Sequence, residues 1–224
     1  MTLAVLLSPR RFADWALRTG TFPQALVFIG LAMAFSIVGA YRLATTIRVE
    51  DLVFGPTRSS FVDTLIAAIG VDRTTVLVYM LERSFDVLVV ASAITPLFLW
   101  LLGSSAMHAA ARIRGIRGHA YLPMIVLFAY AEVGYQVPTS TAGILFGSIG
   151  AGPGPQLASA VSVVALAWFA LVVYRGIEIY YGVSGERAIA IFLLGAIVFY
   201  IVPLILIVGA LIAIVLAASL LEYF

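Results

Sequence analysis

Residues 188–221 read AIAIFLLGAIVFYIVPLILIVGALIAIVLAASLL, and no charged side chain interrupts the chain between Arg187 and Glu222. A helix this apolar on every face has no side to present to water, so its solvent is lipid. A bilayer core about 30 Å thick is crossed by roughly 20 helical residues, and this run is longer than that. Pro203 lies near its middle and brings no backbone donor. The run is therefore one kinked or tilted span or two short passes. With no polar turn between the halves, a single kinked or tilted span is the expectation.

Working outward, four more stretches meet the same test, at about 23–41, 85–103, 120–137 and 156–174. The composition agrees. The 224 residues are 63% hydrophobic and 11% charged, whereas soluble domains are roughly 45–50% apolar and about 25% charged. The fold class expected is all-α, a polytopic transmembrane bundle of about five spans, with residues 1–224 forming one integral-membrane domain. The apolar positions 3–7 are followed at once by Pro9, Arg10 and Arg11, so they do not read as a cleaved signal, and the chain as written is expected to be the mature protein.

Arginine placement orients the bundle. Arg10, Arg11 and Arg18 precede the first span; Arg112, Arg114 and Arg117 lie between the second and third with no acid; Arg175 and Arg187 precede the fifth. With five spans these segments share one side, which places the N-terminus in the cytoplasm and the C-terminus outside. The long outer loop, 42–84, balances five arginines with Glu50, Asp51, Asp63, Asp72 and Glu82. Within it, Phe61, Leu65, Ile66 and Ile69 recur at helical spacing and suit a short interfacial helix. The apolar stretch 74–81 suits an amphipathic lead into the second span, the alternative being a loop packed over the bundle.

The net charge of +2 is small and scattered, and every basic residue is arginine, so nothing here suits nucleic acid. The absence of cysteine removes disulfides, thiolate catalysis and thiolate metal sites. His108 and His119 lack a third ligand for zinc and suit the membrane interface. Gly150-Ala151-Gly152-Pro153-Gly154-Pro155 lacks the lysine of a phosphate cradle and reads as the turn that opens the fourth span. No feature calls for a cofactor.

Glu132 is the acid inside a span, flanked by Tyr130 and Tyr135, and such a residue is a candidate ion or proton pathway. The competing expectation puts it near the outer end of its helix, close to water or paired with an arginine. Arg112, Arg114 and Arg117 are candidate lipid-headgroup contacts, each worth about 1 kcal/mol near an anionic surface, and they also hold their loop inside. Gly182-Val183-Ser184-Gly185 matches the Gly-x-Ser-Gly pattern of rhomboid-type intramembrane proteases. No histidine follows Ser184 to serve as its base, so Ser184 is expected to cap the fifth helix, with Glu186 in its first turn.

The order of features resembles the Yip domain family, the Ypt/Rab-interacting membrane proteins, in prokaryotic form. Three stretches carry the resemblance: Pro9-Arg10-Arg11-Phe12-Ala13 before the first span; the small-residue exit and basic glycine-containing loop of 104–118; and Trp168, Arg175-Gly176-Ile177 and Tyr181-Gly182-Val183-Ser184-Gly185-Glu186-Arg187-Ala188 before the last. The resemblance implies about five spans, a cytoplasmic N-terminus and a non-enzymatic role. That role is partner recruitment, oligomerisation or membrane organisation in the cell membrane, with homo-oligomers or other membrane proteins as partners. Eukaryotic members carry an Asp-Leu-x-Gly-Pro-like motif ahead of the first span. Asp51-Leu52-Val53-Phe54-Gly55-Pro56 resembles it but follows that span, so the resemblance does not extend to binding Rab-type GTPases. The alternative expectation is a small transporter or channel built on Glu132.

Overall fold

The structure, a computed structural model, describes residues 8–46, 49–55, 59–147 and 153–221. The apolar positions 3–7, the arginines at 48 and 58, Pro56, the stretch 150–152 and Glu222 lie outside them. The described residues form helices joined by short turns, with no strand among them. The protein is an all-α polytopic bundle.

The first helix, α1 (Pro9–Thr19), opens with a proline whose fixed φ suits the first turn. It is amphipathic: Phe12, Ala13 and Ala16 are buried, whereas Arg10, Arg11 and Arg18 are exposed, with Arg18 paired to Asp14 at 2.8 Å. Then comes α2 (Phe22–Thr46), a long apolar helix.

Much of the stretch 42–84, expected as a loop, is helical: α3 (Val49–Phe54), α4 (Ser60–Ile69) and the first half of α5 (Val71–Phe98). In α4, Leu65, Ile66 and Ile69 are half-buried and Phe61 is exposed. A bend of 117° at Gly70 separates α4 from α5. The helix holding the second span begins at Val71, not near Phe85, because Glu82, Arg83 and Asp86 change polarity without breaking a helix.

That span also ends later than its apolar run implies. After Pro96 the chain widens into a π-helical stretch, Leu99–Gly103, and continues as α6 (Ser104–Ile113). A proline removes one backbone donor, and a π turn accommodates the resulting misfit. The alanines of 106–111 favour helix. What stops α6 is Gly115, at φ +83°. The Ile116 N–H donates to the Ala111 carbonyl and the Gly115 N–H to the Arg112 carbonyl, both at 3.0 Å. This paired closure requires a left-handed residue, which glycine adopts without strain.

Next come α7 (Leu122–Phe146), α8 (Pro153–Tyr181) and α9 (Gly185–Leu221). Helix α8 closes in the same way at Gly182, φ +61°, with the Val183 N–H on the Glu178 carbonyl. Helix α9 runs unbroken through Pro203.

Among the described residues, four helical stretches are long and apolar enough to cross a membrane: Phe22–Arg42, Val89–Ile113, Pro153–Tyr181 and Gly185–Ile205. The bent pair α4–α5 makes a fifth if Ser60–Ile69 and Val71–Phe85 count as one span. Helix α7 is not among them, although the apolar run 120–137 marks it as the third span. It carries Glu132, Gln136, Thr139 and Ser140, which lower its hydropathy. Val126 to Glu132 are nevertheless all buried. Two consecutive turns covered on every face lie against protein, so this helix has no need of a lipid-facing surface there.

The chain divides into two compact units. The first comprises Met1–Ala25, Phe98–Tyr130 and Ala170–Phe224; the second comprises Leu26–Leu97 and Ala131–Phe169. In the first unit the core is formed by Phe12, Ala16, Met124, Leu127, Phe128, Val172, Val173, Ile177 and Ile191.

Candidate functional site

The first unit holds a polar cluster at the end of α6 and α8. His108, on α6, is buried, and its Nδ1 lies 2.8 Å from the Tyr181 hydroxyl. One turn on, Arg112 donates from Nε to His108 Nε2 at 3.2 Å. A guanidinium cannot accept, so Nε2 is the acceptor and the imidazole proton sits on Nδ1, facing Tyr181. Tyr121, just ahead of α7, closes the other side. Its hydroxyl lies 2.8 Å from Ser104 Oγ and 2.6 Å from Ser105 Oγ. Ser104 Oγ also reaches the Trp100 carbonyl at 2.6 Å, and the Trp100 indole donates to the Ile125 carbonyl at 2.7 Å. Tyr180 donates to the Ala120 carbonyl. The His119 ring stands edge-on to both Tyr180 and Tyr181, at 5.3 and 5.2 Å.

The three candidate lipid contacts sit at the rim of this cluster. Arg112 is on the last turn of α6, Arg114 is its C-cap and Arg117 follows the glycine turn; all three are exposed. Arg187, from the first turn of α9, reaches the Arg114 carbonyl with Nη2 at 3.4 Å. None of these four arginines makes an ion pair among the described residues, whereas Arg18 pairs with Asp14 and Arg175 with Glu178.

Ser184 stands immediately before α9, where its carbonyl accepts from the Ala188 N–H at 2.9 Å. Glu186 is in the first turn of that helix. Of the two histidines upstream of Ser184, His108 is engaged by Tyr181 and Arg112.

Glu132 lies in the second unit and does not match the expectation of a residue near water or beside an arginine. It stands in the middle of α7, is 1% exposed, and its Oε2 has no hydrogen-bond partner among the described residues. Its polar neighbours on the helix are committed elsewhere. Tyr130 donates to Gln24 Oε1 at 2.9 Å, and Gln136 donates to Ser140 Oγ at 2.9 Å. The Trp168 ring occupies the space a side chain at Gly134 would fill, and the Tyr135 ring packs on Phe169 at 6.1 Å. A carboxyl oxygen so enclosed is costly unless a proton or a cation compensates it.

The sequence reading missed the tyrosines. Tyr121, Tyr180 and Tyr181 organise the polar cluster, and the available signal was their position at helix ends beside arginines, where membrane proteins concentrate amphipathic rings. Comparison with models of known protein families, with curated proteins and with solved structures finds no match to this chain.

Proposed function

We propose that the chain is a non-enzymatic, Yip-like integral membrane protein of the cell membrane that works by recruiting membrane partners, by self-association or by organising the bilayer. One observation supports this reading. Trp168 is in the second unit, but the other stretches that carry the resemblance, 9–13, 104–118 and 175–188, belong to the first, and the last two are joined by direct bonds. His108 meets Tyr181, and Arg187 meets the Arg114 carbonyl. Segments that are loose as motifs thus become one structural device, a polar clasp at the basic end of the bundle. Rab-type GTPases are not among the proposed partners.

The test is to purify the chain from native-like membranes in mild detergent and measure its mass by light scattering. A complex of defined stoichiometry, either a homo-oligomer or one with a reproducible partner, is the expected result. A monomer that carries no partner under conditions that retain helix content overturns the reading.

A second reading, a small transporter or channel, is favoured by the buried, unpartnered Oε2 of Glu132. It predicts proton or monovalent cation flux in proteoliposomes that disappears in Glu132→Gln. Absence of flux in the wild-type protein refutes it.

A further inference from the structure

Between the π-helical stretch with α6 and the middle of α9 lies a groove of about 160 Å³ within the first unit. Its walls are Leu102, Ser105, Ala106 and Ala109 on one side and Val198, Phe199 and Val202 on the other. The groove exists because α6 presents small side chains where α9 is held close. Met107 fills the space beside Gly195, where a side chain would stand 3.1 Å from the Met107 Cα. It is narrower than the roughly 300–1,000 Å³ of sites that enclose a compact ligand. A segment of one hydrocarbon chain is what fits such a slot, the rest of the chain lying along its open side.

The groove leads to the arginine rim. Leu102, Ser105, Ala109 and Arg112 recur every three or four residues and so form one stripe of the helix. Leu102 to Arg112 spans ~15 Å along the axis at 1.5 Å per residue. On α9, Arg187 and Val198 are eleven residues apart, which brings them back to one face. The apolar slot is thus bordered at one end by Arg112, Arg114 and Arg187, with Arg117 beyond, and none of these charges is neutralised by an acid among the described residues. Arg112 spends its Nε on His108, which leaves its terminal nitrogens.

We propose that this groove and its arginine rim form a binding site for one anionic glycerophospholipid, with an acyl chain along Leu102–Val202 contacts and the phosphate against Arg112 and Arg187. The inference extends the headgroup contact expected at Arg112, Arg114 and Arg117 to a site with a defined chain slot. It stands whether the protein acts through partners or through ions.

The test uses the full chain in mild detergent, incubated with phosphatidylglycerol or phosphatidylcholine and weighed by native mass spectrometry. The expected result is one retained lipid, with phosphatidylglycerol favoured at least tenfold. Arg112→Gln with Arg187→Gln should lower phosphatidylglycerol retention about fivefold per arginine and leave phosphatidylcholine unchanged. Arg83→Gln, remote from the rim in sequence and in the other unit, serves as the charge control. Ala109→Leu keeps every charge but fills the slot, and should weaken both lipids, so the test survives if the arginine variant loses helix content. Glycerol phosphate should not displace the lipid. Equal retention of the two lipids, no effect of Ala109→Leu, displacement by glycerol phosphate (a free-phosphate site), or a dimer in place of the lipid adduct each overturns the proposal.

Discussion

Replacing Glu132 by leucine should stabilise the fold. The residue is 1% exposed, and its Oε2 has no partner among the described residues. An unsatisfied buried polar group costs about 1–3 kcal/mol, and an apolar group of similar shape removes that cost. Leucine has nearly the bulk of glutamate and adds no polar atom, so Glu132→Leu is expected to gain about 1–3 kcal/mol. Glu132→Gln leaves a polar end group in the same enclosure and should change stability by less than about 1 kcal/mol. The assay is equilibrium unfolding in mixed micelles of mild detergent and dodecyl sulfate, followed by helix content and tryptophan emission. Trp168 lies against Gly134 in the helix turn beside Glu132, so its emission reports on the site itself. If leucine destabilises by more than about 1 kcal/mol while glutamine is neutral, the carboxyl group makes a stabilising interaction. The argument from an unpartnered oxygen then fails. If leucine stabilises, the chain carries an acid that its fold does not need, which is the pattern of a residue kept for function at the expense of stability.

Three further outcomes follow from the geometry. Gly115→Val forces a β-branched residue to φ +83° at the end of α6 and should cost at least about 1–2 kcal/mol, read as a lower midpoint in the same unfolding assay. Tyr181→Phe removes the partner of His108 Nδ1 and should cost about 1–3 kcal/mol by leaving a buried donor unmet; a neutral result would show that another acceptor takes its place. Gly134→Leu drives a side chain into the Trp168 ring, with a cost of about 1–3 kcal/mol or more from overpacking and a shift in tryptophan emission that Gly209→Leu, which faces open space, should not produce.

The apolar runs around 23–41, 85–103, 156–174 and 188–221 were legible because lipid-facing hydropathy is summed over a whole helix and needs no knowledge of neighbours. Helix ends were less so. Glu82, Arg83 and Asp86 look like a boundary, yet α5 runs through them, since charged side chains do not end a helix and only a backbone breaker does. The true stop after α6, Gly115, was written in the sequence as a glycine among arginines, but its role depends on a φ that no composition encodes. The polar cluster was half visible. His108 and Arg112 are one turn apart and could be paired from spacing alone, whereas Tyr181 lies 73 positions from His108 and meets it only through the packing of the first unit.

Glu132 marks where hydropathy stops being a guide to depth. A window of sequence ranks α7 as less apolar than its neighbours, and the intuitive inference places its acid toward water. The fold reverses this, because Val126 to Glu132 are buried on all faces and other helices carry the exposed apolar surface, such as Val163, Val164 and Leu166 on α8. In a bilayer the outermost helices must be the most apolar, and a helix enclosed by protein is the one free to hold polar groups. Low hydropathy in a long helix of a lipid-soluble chain is therefore a sign of burial against protein. By the same reasoning the polar side chains of the described residues gather in two places, the enclosed acid of α7 and the arginine-rimmed end of α6 and α9.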